Sequence, residues 1–260
     1  MYSIKSRWIR IGNLNIRYYY GGKGEPLLVL HGGNSHAGPW AKNLRELSQK
    51  YTVYVPDLPG FGLSQKMDGE CYIPEFVNFV KEFTKAVRLE SFYLMGHSLG
   101  GGIAASYAIQ YPDQVRKLIL IDSMCMGDEI AVWVRMMSLR GITQSIGKGL
   151  VGLLMGVKWI VEGMFRSIEF IVPVSEASLI IGSSATNLQT QTVVLTKRLS
   201  EIIAPTLIVW GNRDRIVPVK QAYAAATIIP DCQLRIISGG HSAYQERIIE
   251  FSQVVKSFLD

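Results

Sequence analysis

Gly96-His97-Ser98-Leu99-Gly100-Gly101 is the stretch on which the fold turns. Before it runs Ser91-Phe92-Tyr93-Leu94-Met95, a short apolar and aromatic segment that predicts a buried strand. After it comes Gly102-Ile103-Ala104-Ala105-Ser106-Tyr107-Ala108, rich in alanine, which predicts a helix. A glycine-x-serine-x-glycine between a strand and a helix is a nucleophile elbow. The reason is steric: the serine sits on a tight, strained turn, so its neighbours two residues away must lack bulk, and Gly96 and Gly100 do. Such a turn lifts the Ser98 hydroxyl above the sheet. It also aims the Leu99 N–H and the helix N-terminus at the same point, giving a nucleophile and half of an anion site.

The chain on either side predicts more alternation of strand and helix. Trp8–Ile11 and Leu14–Tyr20 read as strands joined at Gly12-Asn13, with Tyr18, Tyr19 and Tyr20 on alternating faces and at least one of them packed inward. Leu27-Leu28-Val29-Leu30 has the continuous apolar character of a strand buried on both faces. Trp40–Lys50 predicts a helix with Leu44 and Leu47 on one side, Tyr51–Val55 a strand, and Pro74–Val87 a helix carrying Phe76, Val80 and Phe83. Lys117–Ile121 is a further buried strand ending at Asp122. Thr206–Trp210 and Gln233–Ile237 complete the strands, with helices at Gln221–Thr227 and Ile248–Leu259. This order predicts an α/β fold, with a mostly parallel central sheet covered on both sides by helices.

Five pieces in this order resemble the α/β-hydrolase family over nearly the whole chain: His31-Gly32-Gly33, Asp57-Leu58-Pro59-Gly60-Phe61-Gly62, the elbow, Gly211-Asn212-Arg213-Asp214, and Gly239-Gly240-His241. The resemblance implies a core in two parts, residues 1–123 and 198–260, with a helical cap inserted at 124–197. The sequence changes texture there: strand signals thin out, and Gly147, Gly149, Gly152 and Gly156 thread an apolar stretch.

Cleaving an ester carbonyl takes a nucleophile, a base, a group that orients the base, and donors for the oxyanion. Ser98 is the expected nucleophile and His241, hanging from a loop past the last strand, the expected base. Asp214, just after the strand ending at Trp210, is the expected orienting acid, in the Ser…Asp…His order of this fold. Asp122 also ends a strand and competes for the acid role. All of these positions fall at the carboxyl ends of parallel strands, where open α/β sheets bind ligands. Leu99 and, by the resemblance, Gly33 supply the backbone donors of the oxyanion hole. His31 is expected to organise its loop, His97 to pack beside the elbow and Asp57 to brace its own turn. His36 is a candidate for the entrance to the site. Trp133, Met136, Met137, Trp159 and Phe165 are candidates for an apolar substrate pocket in the cap.

A serine nucleophile excludes the family's haloalkane dehalogenases and epoxide hydrolases, which need a carboxylate there. His97 before the serine is the pattern of the family's esterases, lipases and lactonases. Many of its carbon–carbon bond hydrolases carry asparagine at that point. The expectation is therefore a serine hydrolase of a small ester, lactone or thioester with an apolar acyl or aromatic part. A carbon–carbon hydrolase of ring-fission type, or a sensor that keeps the triad without turnover, are the alternatives.

At 260 residues, 48% hydrophobic and 18% charged, the chain can bury a large core. Its net charge of +6 comes from scattered cations with no block like a nucleic-acid arm, which argues against a nucleic-acid partner and leaves a weak pull toward anionic substrates or membrane surfaces. The glycines lack dinucleotide or P-loop spacing, and no motif calls for a metal or cofactor. Cys71, Cys125 and Cys232 show no paired spacing, as expected of a reducing interior. No run reaches the about 18 apolar residues of a membrane span, so no stable membrane insertion is expected. The start of the chain lacks the apolar stretch of a signal peptide, and the expectation is a cytoplasmic protein.

Overall fold

The computed structural model describes residues 4–33, 35–68, 72–131 and 191–260. Eight strands form one sheet: β1 (Lys5–Ile11), β2 (Leu14–Gly22), β3 (Glu25–Leu30), β4 (Tyr51–Pro56), β5 (Phe92–His97), β6 (Val115–Ile121), β7 (Thr206–Gly211) and β8 (Cys232–Ile237). Their order across the sheet is β1-β2-β4-β3-β5-β6-β7-β8. The β1–β2 and β2–β4 pairs are antiparallel and all the others parallel. The helices α1 (Ala41–Leu47), α2 (Ile73–Ala86), α3 (Leu99–Gln110) and α4 (Lys220–Ile228) lie between strands, and α5 (Ala243–Glu246) and α6 (Ile248–Leu259) follow β8.

The central strands are apolar on both faces because both are covered. In β5, Phe92 and Leu94 face one core and Tyr93 and Met95 the other; in β7, Ile208 and Trp210 oppose Leu207 and Val209. The first core takes in Phe76, Val80 and Phe83 of α2 and Ile103 and Tyr107 of α3. The second takes in Leu44 of α1 with Phe251 and Val255 of α6. Tyr18 is the inward member of its tyrosine run, edge-on to Phe83 at 5.5 Å. The Glu75 carboxylate accepts the Tyr72 N–H at 2.9 Å and Pro74 sits in the first turn, so the start of α2 is fixed locally.

Several boundaries differ from the sequence reading. The strand before the elbow continues through Gly96 and His97, which pair with Leu120 and Ile121 of β6. Helix α3 begins at Leu99, so the glycines at 100–102 are helical. Packing accounts for this: a Cβ at Gly100 would collide with the Leu30 and His31 carbonyls, and one at Gly102 would lie 2.7 Å from the Cys125 sulfur. Helix α1 ends at Leu47 rather than Lys50, where the Ser48 hydroxyl donates to the Arg45 carbonyl and the chain turns back through Lys50 N–H to Leu47.

The parts of the expected insertion that are described, 124–131 and 191–197, leave from the end of β6 and lead back toward β7 side by side. Trp133, Met136, Met137, Trp159 and Phe165 lie outside the described residues, as does Cys71. Cys125 and Cys232 are free thiols. Among the described residues, no helix is long and apolar enough to cross a membrane.

Candidate active site

The elbow positions Ser98 by sterics. Ser98 has φ +53° and ψ −116°, a region that side chains rarely occupy, and it is held there from both sides. Its N–H donates to Ile121 O at 2.9 Å, and its carbonyl accepts from Gly101, Gly102 and Met124. A Cβ at Gly96 would overlap the Gly100 carbonyl, so both flanking glycines are required by contact.

His241 sits four residues past β8, and Asp214 three past β7. The imidazole of His241 bridges the other two side chains: Nδ1 lies 2.8 Å from Asp214 Oδ2 and Nε2 lies 2.9 Å from Ser98 Oγ. A carboxylate can only accept, so Nδ1–H donates to Asp214, and the Nε2 lone pair is left to accept the Ser98 O–H. The Asp214 carboxylate is fully buried, and its Oδ1 accepts the N–H groups of Ile216 (2.7 Å) and Val217 (3.0 Å). That turn fixes the carboxylate before the histidine reaches it.

Leu99 is the first residue of α3, so its N–H has no acceptor within the helix. Gly33 stands beside it: a Cβ there would lie 3.8 Å from the Leu99 side chain. The two expected oxyanion donors thus belong to neighbouring residues at the Ser98 rim.

The other sequence candidates fall outside this relay. Asp122 is buried at the end of β6, with φ +44°. Its Oδ1 accepts the Gly211 N–H at 2.8 Å, and its Oδ2 has no partner. Burial pushes its carboxyl well above the ordinary range, the Gly211 bond works against this, and the nearby Asp214 charge raises it further. Asp57 accepts from the Arg17 guanidinium (2.7 Å), Ala37 N–H (2.7 Å) and Leu63 N–H (2.9 Å), which knits its turn to β2. His31 accepts the Leu58 N–H at Nε2 (2.9 Å) and donates from Nδ1 to the Gly32 carbonyl (2.8 Å). Burial depresses it from 6.5 to about 4, so it is a neutral brace between two loops. His36 is exposed and accepts the Gly38 N–H at Nδ1, 3.0 Å away.

Two supporting contacts go beyond the sequence reading. His97 Nε2–H donates to the His241 carbonyl at 2.8 Å, and its ring packs against those of His241 and Tyr244 at 4.9 and 4.7 Å. It therefore holds the base's own backbone, and burial keeps it neutral. Trp40 stacks on Tyr244 at 4.4 Å from the other side. The second is Gln191, buried between the two stems of the insertion: it accepts from Cys125 N–H (2.7 Å) and donates to the Gly127 and Glu129 carbonyls (2.9 and 3.1 Å). The same stem reaches the acid, since Ala131 N–H donates to Ile216 O at 2.9 Å and the next N–H along that peptide group is one of those on Asp214. A buried glutamine has no local sequence signature. His97 packs beside the elbow, and its bond to the His241 carbonyl is the part that the sequence does not signal. Among the described residues, no three His, Cys, Asp or Glu side chains gather as ligands for a metal.

A model of the α/β-hydrolase fold matches residues 25–139. The chain has the α/β-hydrolase fold. It is 28% identical to the 2-hydroxy-6-oxononadienedioate/2-hydroxy-6-oxononatrienedioate hydrolase of Comamonas testosteroni, over 96% of this chain and 92% of that one. An uncharacterised protein of Mycobacterium tuberculosis is likewise 28% identical, over 92% of this chain and 76% of its own. Among solved structures, a membrane phospholipase A described as a bacterial virulence factor superposes with a TM-score of 0.76 at 27% identity, covering 99% of this chain and 86% of that one. The proteins it resembles are thus named as a dienedioate hydrolase in one case and a phospholipase A in another.

Proposed function

We propose that this α/β-hydrolase cleaves a carboxylic ester, thioester or lactone bearing an apolar acyl or aromatic part, through an acyl-enzyme on Ser98. The observation that carries the reading is the imidazole of His241 held between the Ser98 hydroxyl and the Asp214 carboxylate at 2.9 and 2.8 Å. As Ser98 Oγ attacks the carbonyl carbon, its proton passes to His241 Nε2, and Asp214 stabilises the imidazolium through Nδ1–H. The carbonyl oxygen becomes an oxyanion facing the Leu99 and Gly33 N–H groups. Collapse expels the alcohol or thiol, which takes the proton from Nε2. Water then attacks the acyl-enzyme with His241 as base, and Ser98 is regenerated. The resemblance to a phospholipase A supports an ester substrate, and the free Cys125 and Cys232 support a reducing, cytoplasmic setting.

A second reading rests on the Comamonas relative: carbon–carbon cleavage of a 2-hydroxy-6-oxo-dienoate at the same serine. Steady-state assays of p-nitrophenyl esters and of such a dienoate, each with the wild type and Ser98→Ala, separate the two. Ester turnover abolished by the substitution is the expected outcome. Turnover confined to the dienoate supports the second reading, and stoichiometric ligand binding without turnover of either would make the chain a sensor.

A further inference from the structure

The +6 net charge of the chain is unevenly built. The first 24 residues carry Lys5, Arg7, Arg10, Arg17 and Lys23 and no acid at all before Glu25, a net +5. Folding puts most of these on the β1–β2 hairpin at the edge of the sheet. Arg17 is spent on the buried Asp57. Lys5, Arg7 and Arg10 are exposed, with Arg7 lying over the Tyr20 ring at 4.2 Å. Alternation along the strand puts Lys5 and Arg7 on one face, and Arg10 with Trp8, 57% exposed, on the other. The cross-strand partner of Trp8 is Arg17, whose N–H donates to the Ser64 hydroxyl at 3.0 Å, and next to Ser64 is Leu63, 61% exposed. Arg10 faces Asn15, which exchanges hydrogen bonds with Gln65, the neighbour of the exposed Lys66. The backbone of Trp8 and Arg10 therefore lies about 10 Å, two strand spacings, from the loop that carries the exposed Leu63 and Lys66.

We propose that this edge docks on an anionic lipid surface, with Trp8 and Leu63 entering the interface and Arg10 and Lys66 meeting the headgroups, while Lys5 and Arg7, on the other face of β1, add to the positive field of the edge. Charges on an edge strand also block sheet-to-sheet pairing, but that role needs neither an exposed tryptophan among them nor an exposed leucine on the adjoining loop. An aliphatic and an indole side chain beside two cations is the chemistry of a headgroup boundary. Leu63 in particular offers nothing to a phosphodiester backbone. The placement also fits access to the site: β1 runs in the same direction as β3, so the end carrying Arg10, and the loop carrying Leu63, lie on the edge of the sheet that bears Ser98. That rim is about 19 Å away along the sheet, four strand spacings. The proposal concerns adsorption and does not depend on which bond Ser98 cleaves.

Sedimentation with vesicles of phosphatidylcholine, with or without phosphatidylglycerol, tests it. The protein is expected to bind the phosphatidylglycerol vesicles, to leave pure phosphatidylcholine in solution, and to be released as salt approaches about 1 M. Arg10→Glu with Lys66→Glu, and separately Trp8→Ser with Leu63→Ser, should each weaken binding by about tenfold or more, with melting temperatures unchanged. Should either pair lower the melting temperature, Arg10→Gln with Lys66→Gln carries the same test. Binding to neither vesicle, equal binding to both, or variants that bind like the wild type would overturn the proposal. So would displacement of the protein from vesicles by a single-stranded oligonucleotide that it binds more tightly.

Discussion

Asp214→Asn should disable the base without disturbing the fold, and the structure says how. Asp214 Oδ1 accepts two backbone N–H groups, from Ile216 and Val217, at 2.7 and 3.0 Å. An amide nitrogen cannot accept them, so the asparagine carbonyl must stay on that side and its NH2 must face His241 Nδ1, where the carboxylate Oδ2 now lies at 2.8 Å. An NH2 donates to Nδ1 only if Nδ1 is bare. The ring proton then moves to Nε2, which points at Ser98 Oγ, and the lone pair needed to take the serine proton is gone. Inverting the tautomer costs on the order of 10⁴-fold in kcat, about 5.5 kcal/mol of barrier. The backbone hydrogen bonds of the turn survive, so the melting temperature should move by no more than about 2 °C. The assay is kcat/KM on a p-nitrophenyl ester, with melting in parallel and Asp122→Asn beside it. Asp122 does not touch the imidazole in this account, and its asparagine keeps the Gly211 bond and suits a φ of +44°. Asp122→Asn should hold activity within about threefold, since it stands outside the reacting groups. A loss under about tenfold for Asp214→Asn, or a collapse for Asp122→Asn, refutes the assignment of the acid.

Three further outcomes follow from the same contacts. Asp122 has a carboxyl raised well above its ordinary 3.8, so its contribution to stability is complete below that value and is lost as pH rises through the folded value; Asp122→Asn should therefore melt higher than wild type at pH 8 and lose that advantage toward pH 4. His31 runs the other way: a base lowered from 6.5 to about 4 leaves stability intact above pH 6.5 and removes about 3 kcal/mol as pH falls to about 4, with His97 acting in the same sense, which urea unfolding at a series of pH values will read. Gly100→Ala places a methyl group 2.6 Å from the His31 carbonyl oxygen and closer still to that of Leu30, both backbone atoms that cannot yield, and should cost about 3 kcal/mol in chemical denaturation.

How much of this could be read beforehand depends on the range of the interaction. The elbow is a local steric requirement, so Gly96, Ser98 and Gly100 announce it within five residues, and the contacts at Gly96 and Gly100 show why nothing larger fits. The alternation of apolar strands and amphipathic helices likewise carries the sheet, since β5, β7 and the Leu118–Ile121 part of β6 are buried on both faces and read as largely apolar runs. Motif and chain order put Ser98, Asp214 and His241 at strand ends, and the fold brings them within hydrogen-bond distance. What escaped the sequence is contact across distance. The bond from His97 to the His241 carbonyl spans 144 positions, and that from Gln191 to Cys125 spans 66. Neither leaves a periodic or compositional trace. The extension of β5 into the elbow was missed for a related reason: glycine and histidine are poor strand signals alone, and pairing with β6 decides.

The most direct test of the account is the mass of the protein quenched during turnover of a p-nitrophenyl ester, followed by peptide mapping. The account predicts a covalent acyl group on Ser98, absent from Ser98→Ala, which turns over no ester. An unmodified Ser98 together with undiminished turnover by Ser98→Ala would contradict it.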